Sequence, residues 1–194
     1  PGLGVRGRAR DLDRLTDRVQ TFPQDEALNT IEVALGGTIG TLFEDIDEPV
    51  AAASIAQVHK ARVRDASSDE RHVAVKVLRP QIEQRFARDL KSFYFAARMA
   101  ERFVAPLRRL RPVQVVDVLA QSVSVEMDLR MEAAAISEMA ENIADDTGFR
   151  VPEIDWSRTT KRVLTTEWID GIPIGDIERL RREGRDLEQL AEII

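Results

Sequence analysis

The sequence predicts an α+β fold in which an antiparallel sheet is enclosed by helices, and three observations carry that expectation. Two runs, Gln57 to Val63 and His72 to Leu78, alternate polar and apolar residues and favour β-branched side chains, the pattern of half-buried strands. The stretch between them, "RDASSDE", is polar and reads as the loop of a hairpin. Around this hairpin, apolar residues recur at helical spacing through most of the chain.

The elements follow in order. Leu12, Leu15 and Val19, then Leu28, Ile31, Val33 and Leu35, predict two helices broken at Phe22-Pro23. "GGTIG", Gly36 to Gly40, ends the second helix as a C-terminal glycine does. No Lys-Ser or Lys-Thr follows it, so it reads as a cap and turn, not as a phosphate loop. Glu44 to Glu48 reads as a solvated acidic turn. A calcium loop starting at Asp45 would need Gly at its sixth and Glu at its twelfth position, where Val50 and Ala56 stand. "AAASIAQVH", residues 51 to 59, then places small residues where a turn would normally use Gly or Asn. Small side chains let a partner approach the backbone closely, and alanine keeps that backbone stiffer than glycine would. Pro80 is suited to the first turn of a helix that carries Ile82, Phe86, Leu90, Phe93 and Ala97 on one face and runs to about Phe103. Pro112 opens a second long helix through Val115, Leu119, Val123 and Met127 to about Ile143. "DDTGF" breaks it, Val151-Pro152 and Arg162 to Ile169 are expected strands, "DGIP" turns the chain, and two short helices split by Gly184 follow.

A length of 194 residues allows one domain with a real core, or slightly more. The chain has no run of 18 apolar residues, and its first residues lack the apolar centre of a secretory signal. Cysteine is absent, which excludes disulfides and thiolate chemistry. With 28 Lys and Arg against 34 Asp and Glu, the net charge of −6 argues against nucleic acid as a partner. The basic cluster Arg108 to Pro112 reads as a solvated helix end, the alternative being contact with phosphate or an anionic membrane surface. His59 and His72 are the only histidines and both fall in strand-like runs, so neither a histidine metal site nor a Ser–His–Asp triad is expected.

The second strand contains "VAVK", with Val73, Val75 and Val77 on one face and Ala74, Lys76 and Leu78 on the other. Taken alone, Lys76 reads as a strand lysine whose stem packs while its ammonium reaches water. Its context gives it a sharper meaning. A small-residue loop precedes the hairpin, the second strand carries the lysine, a long helix with acidic residues follows, and a later strand ends in "TTEWIDG". That is the order of the nucleotide-binding lobe of a protein kinase: loop over phosphates, strand lysine, helix glutamate, hinge. Phosphates require close backbone approach and a fixed cation, and the cation requires a carboxylate to hold it.

Together "AAASIAQVHKA", "VAVKVLRP", "RLRP", "EMDLRMEAAA", "VPEIDW" and "VLTTEWIDG" resemble the UbiB/ADCK family of atypical kinase-like proteins, which are linked to ubiquinone biosynthesis and isoprenoid lipids. The resemblance covers roughly residues 12 to 185. It implies a kinase-like small lobe in which Ala51, Ala52, Ala53 and Ser54 stand where ordinary kinases have a glycine-rich loop, and in which Lys76 contacts phosphate. It further implies that Glu132 pairs with Lys76 and that Glu126 and Asp128 form the family's Glu-x-Asp motif. Thr166 would guard the pocket, and the backbones of Glu167 and Ile169 would face adenine. ATP or ADP is the implied cofactor, and the implied location is the cytoplasm, peripheral at the inner membrane through the longer parent. Ubiquinone-biosynthesis proteins, or an isoprenoid lipid or membrane surface, are the further partners it implies.

Where the pattern departs from the family, no lysine precedes Lys60, so the family's upstream Lys-x-Gly-Gln is missing. Neither His-Ala-Asp nor Asp-Phe-Gly follows the hinge, which leaves the base and the Mg²⁺-holding aspartate to the missing large lobe. The expectation is a truncated segment: a helical N-terminal extension over 1–40, a nucleotide-binding lobe over 41–170, and the hinge with the start of a large lobe over 171–194. Such a segment is expected to be catalytically silent by itself. The alternative is a non-catalytic interaction module that keeps the lobe only as a scaffold.

Overall fold

The computed structural model describes residues 20–64, 70–146, 148–187 and 190. The first helix expected from the sequence lies almost entirely outside these residues. The second is α1, Gln24–Leu35, with Asp25 and Glu26 in its first turn against the positive end of the helix dipole. It ends where expected. Gly36 adopts φ 73°, and its N–H donates to Glu32 O at 2.8 Å. Ala27, Thr30 and Ile31 face the core, whereas Val33, expected among the apolar positions, is 74% exposed. A single turn, α2 (Ile39–Leu42), follows.

Four strands make one antiparallel sheet in the order β1 (Asp45–Ala52), β2 (Ala56–Arg64), β3 (Glu70–Leu78) and β4 (Val163–Glu167). On one face Val63, Val73, Val75, Val77 and Val163 pack with Ala27 and Ile31 of α1. On the other, Ala56, Leu78 and Leu164 pack beneath the later helices. These are α3 (Ile82–Phe103), α4 (Pro112–Glu126) and α5 (Leu129–Asn142), with a 3₁₀ turn at Ala105–Leu110. Helix α6 (Ile177–Arg182) comes after β4, its first turn capped by Asp176, and Gly184 at φ 70° follows.

Three elements differ from expectation, each for a physical reason. The acidic stretch at Glu44–Glu48 is not a solvated turn but the start of β1. Asp45 pairs with Arg62 at 3.3 Å, Glu44 with Arg64 at 2.8 Å, and only Ile46 is buried. An edge strand with outward charges, a proline and two register shifts around Pro49 hides its alternation from a hydropathy pattern. The long helix expected over 112–143 is two helices. Met127 is buried, and Asp128 leaves helical geometry at φ −123°, ψ 93° so that its carboxylate can accept from Arg130 N–H at 3.1 Å. Val151-Pro152 forms no strand; Pro152 has no N–H to donate, and the segment only touches β4 through the isolated bridge Ile154↔Thr166.

Helices α3 and α4 form a hairpin tied by Tyr94 Oη–H donating to Asp117 Oδ1 at 2.7 Å. Its apolar residues outnumber the partners available. Phe93, Val115 and Leu119 are 51%, 62% and 42% exposed and line an open groove of about 460 Å³. Among the described residues, no helix is long and apolar enough to cross a membrane.

Candidate functional site

Strand alternation puts Lys76 on the face opposite the valine layer. Leu164 is its neighbour on β4 and Val58 its neighbour on β2. Helix α5 crosses that face, and Ala133, fully buried, lets it approach the sheet. The residue before it is Glu132, in the helix's first turn, where negative charge is favoured. Lys76 Nζ donates to Glu132 Oε1 at 2.8 Å and to Oε2 at 2.7 Å, across 56 residues of sequence. Both side chains keep contact with solvent, at 30% and 43% exposure. The pair thus lines an accessible cleft instead of being sealed into the core.

Ala51 and Ala52 are the last residues of β1, paired with Val58 and Gln57, and Ala53 and Ser54 lie in the turn that leads to β2. Ala53 N–H donates to Ala56 O at 2.8 Å and closes that turn. None of these residues has positive φ; among the described non-glycine residues only Gln81 and Arg111 do. The turn therefore closes in a conformation that alanine adopts without strain.

Glu126 ends α4, and its side chain makes no hydrogen bond or ion pair among the described residues. Asp128, in contrast, is engaged. Besides capping α5 it accepts from Arg130 Nε at 2.9 Å and Nη2 at 2.6 Å, and the Arg130 guanidinium holds its carboxyl below the ordinary aspartate value. Glu126, Asp128 and Glu132 border a small cleft of about 260 Å³ with Val125 and Met131. The break between α4 and α5 sets the relation of these carboxylates. Asp128 and Glu132 do not stack on one continuous helix face.

At the far end of the sheet, Thr166 pairs with Ala74 and so lies on the face of Lys76. Glu167 N–H donates to Glu153 O at 2.8 Å, whereas the Ile169 backbone bonds to no described residue. Of the two positions expected to form a hinge, Ile169 therefore has the open N–H. Three side chains that sequence reasoning did not single out fix this hinge. Arg150 donates to both carboxylate oxygens of Glu167, at 2.8 and 3.1 Å, and holds that carboxyl below its ordinary value. Lys60 sits 5.0 Å from the centroid of the Trp168 ring. Asp155, only 5% exposed, binds Arg71 at 2.8 Å and Arg158 at 2.9 Å. Burial pushes the Asp155 carboxyl up, but hydrogen bonds from Ser157, Arg158 and Arg71 outweigh it and leave the group below its ordinary value. "VPEIDW" was conspicuous in the sequence, but nothing there showed which cations would meet its aspartate.

A tethered ammonium, a carboxylate that orients it, a small-residue turn and a strand end with a free N–H are the parts needed to hold an adenine nucleotide by phosphates and base. Among the described residues, no three His, Asp or Glu side chains are arranged to hold a metal ion. Fold and site together define the small lobe of a kinase-like protein. The model of the ABC1 atypical kinase-like domain matches residues 14–194, and the chain belongs to that family. It is 40% identical over 95% of its length to "Probable protein kinase UbiB" of Aeromonas hydrophila, 39% identical to the protein of that name in Marinobacter nauticus, and 40% identical to that in Pseudomonas paraeruginosa. The chain spans about a third of the length of each of these relatives (33%, 33% and 34%).

Proposed function

We propose that this chain is the nucleotide-binding part of an atypical kinase or ATPase, and that Lys76 contacts the phosphates of ATP or ADP while Glu132 orients it. The observation that carries this reading is the bidentate Lys76–Glu132 contact on the open face of the sheet. A lysine needed only for solubility would not be held by a carboxylate from a helix 56 residues away. The turn Ala53–Ser54 covers the phosphates, Thr166 borders the adenine, and Ile169 N–H donates to it. The lobe over 41–170 carries this site, the helices before it brace the sheet, and 171–194 leads toward the second lobe. When bound, Mg²⁺ would offset phosphate charge, and its ligands are expected outside the described residues. In its longer parent, the protein supports ubiquinone biosynthesis, as its resemblance to UbiB/ADCK proteins implies. Isoprenoid or membrane contact is assigned to the α3–α4 hairpin, where exposed Phe103 and Leu110 adjoin Arg102, Arg108, Arg109 and Arg111.

Calorimetric titration of the full-length protein with ATP and ADP tests the central claim. Lys76→Ala should lower affinity for both at least about tenfold, the scale of one lost charge-assisted contact. Unchanged affinity in a folded Lys76→Ala protein would overturn it.

A further inference from the structure

The turn of the candidate site is gripped from behind by a residue outside it. Arg79 follows β3, and its Nε and Nη2 donate to Ala53 O at 3.3 and 3.1 Å. The same Nη2 donates to Gln20 O at 2.6 Å, and the guanidinium lies 5.5 Å from the centroid of the Phe22 ring. Phe22 N–H in turn donates to Oε1 of the fully buried Gln57 at 3.1 Å, on the β2 residue paired with Ala52. One guanidinium thus joins the carbonyl of the alanine turn to the segment that enters α1.

Peptide geometry gives this grip a consequence. In a trans peptide the carbonyl of one residue and the N–H of the next point in opposite directions. Holding Ala53 C=O therefore fixes the direction of Ser54 N–H, which donates to no described residue and is exposed. Phe22 packs against the valine layer on the α1 face, so Arg79 pulls the carbonyl toward that face. By the same peptide geometry, Ser54 N–H is directed away from the α1 face.

We propose that Arg79 is a positioning residue that orients Ser54 N–H toward a nucleotide phosphate and couples the alanine turn to residues 20–22. This rests on the nucleotide reading above. A carbonyl aimed at the cleft would repel a phosphate, whereas an N–H aimed there donates to it. Arginine suits the position because its planar fork reaches two carbonyls while stacking on a ring, a geometry that lysine does not reproduce.

The test is calorimetry of the full-length protein with ATP, ADP and adenosine, in Arg79→Gln, Arg79→Lys and Lys76→Ala. Arg79→Gln should weaken ATP and ADP about 3- to 10-fold, the range of one displaced hydrogen bond. Adenosine, which has no phosphate, should stay within about twofold, and Arg79→Lys should recover part of the loss. Equal loss for adenosine and ATP would overturn the proposal, as would unchanged ATP affinity in Arg79→Gln while Lys76→Ala still weakens it. ATP affinity unchanged in both variants would overturn the nucleotide reading itself. Hydrogen exchange in the same proteins should show faster amides at 20–22 and 51–55 together in Arg79→Gln, with α5 unaffected. Acceleration in only one segment, or in neither, would overturn the coupling.

Discussion

Two carboxylates anchor ion pairs on opposite faces of the same sheet, and they are built for different ends. Asp155 lies on the valine side, 5% exposed, and is bound by two arginines and the Ser157 hydroxyl at 2.6 Å. Arg158 continues the network to Leu42 O at 2.7 Å and stacks near Phe43, so the cluster ties β4 to the helical N-terminal segment. Glu132 lies on the other side, 43% exposed, with Lys76 as its only cation among the described residues. A buried carboxylate with several donors is costly to disturb, because removing it takes away the partner that the largely buried Arg158 guanidinium meets there. A half-exposed pair contributes little to stability, since water screens it and would solvate either partner alone. What the second pair supplies is direction: an ammonium held at one point on an open surface.

Breaking the buried cluster should have the largest effect on folding. Asp155→Asn is expected to cost about 3–5 kcal/mol, read as a lowered midpoint in urea unfolding. A loss under about 1 kcal/mol would place Asp155 with the screened surface pairs and dissolve the comparison. The same residue sharpens the contrast through pH. Because the folded Asp155 carboxyl lies below its unfolded value, its contribution is fully present above the ordinary aspartate range and is lost as pH falls through the folded pKa. Asp128 and Glu167 are shifted in the same direction and add to the acid sensitivity. The acid limb of the stability curve should therefore flatten in Asp155→Asn without disappearing.

Glu132→Gln provides the reverse test. Its stability should change by less than about 1 kcal/mol, while nucleotide affinity in the full-length protein falls. A large loss of stability with intact affinity would make the pair a structural brace. Between these extremes stands Asp128→Ala, expected to cost about 1 kcal/mol through the lost α5 cap. Its effect on Glu132 should be indirect, by fraying the turn that carries it.

The contrast also marks what could be read from the chain. Lys76 and its face followed from strict alternation in "VAVK", a local pattern that the sheet keeps. The hairpin, the glycine cap at Gly36 and the helix after Pro80 were legible for the same reason: each is decided within a few residues. The edge strand β1 was hidden because charges and Pro49 protect an edge that hydropathy reads as a turn. The break at Met127-Asp128 was hidden because apolar spacing runs on through it, whereas the helix ends where Met127 is buried and Asp128 caps α5. Pairings such as Asp155 with Arg71, 84 residues apart, are written in the topology and have no local signature.

The smallest effect is expected at the turn itself. Ala53→Gly removes the methyl group of an exposed residue and widens the backbone freedom of a turn that needs no positive φ. The folded protein should lose about 0.5–1 kcal/mol, too little to unfold it, because the added freedom favours the unfolded chain. The hairpin behind the turn should persist, since the β2–β3 pairing from Ala56↔Leu78 to Arg64↔Glu70 does not involve Ala53. Arg79 would still hold the Ala53 carbonyl, but a more mobile peptide would present Ser54 N–H over a wider range of directions. Affinity for ATP and ADP should therefore change in the full-length protein while the unfolding midpoint barely moves. Calorimetry and urea unfolding on the same preparation separate the two quantities. If both affinities stay fixed in a folded Ala53→Gly protein, the alanines act as packing alone, and the stiffness of this turn has no part in holding phosphate.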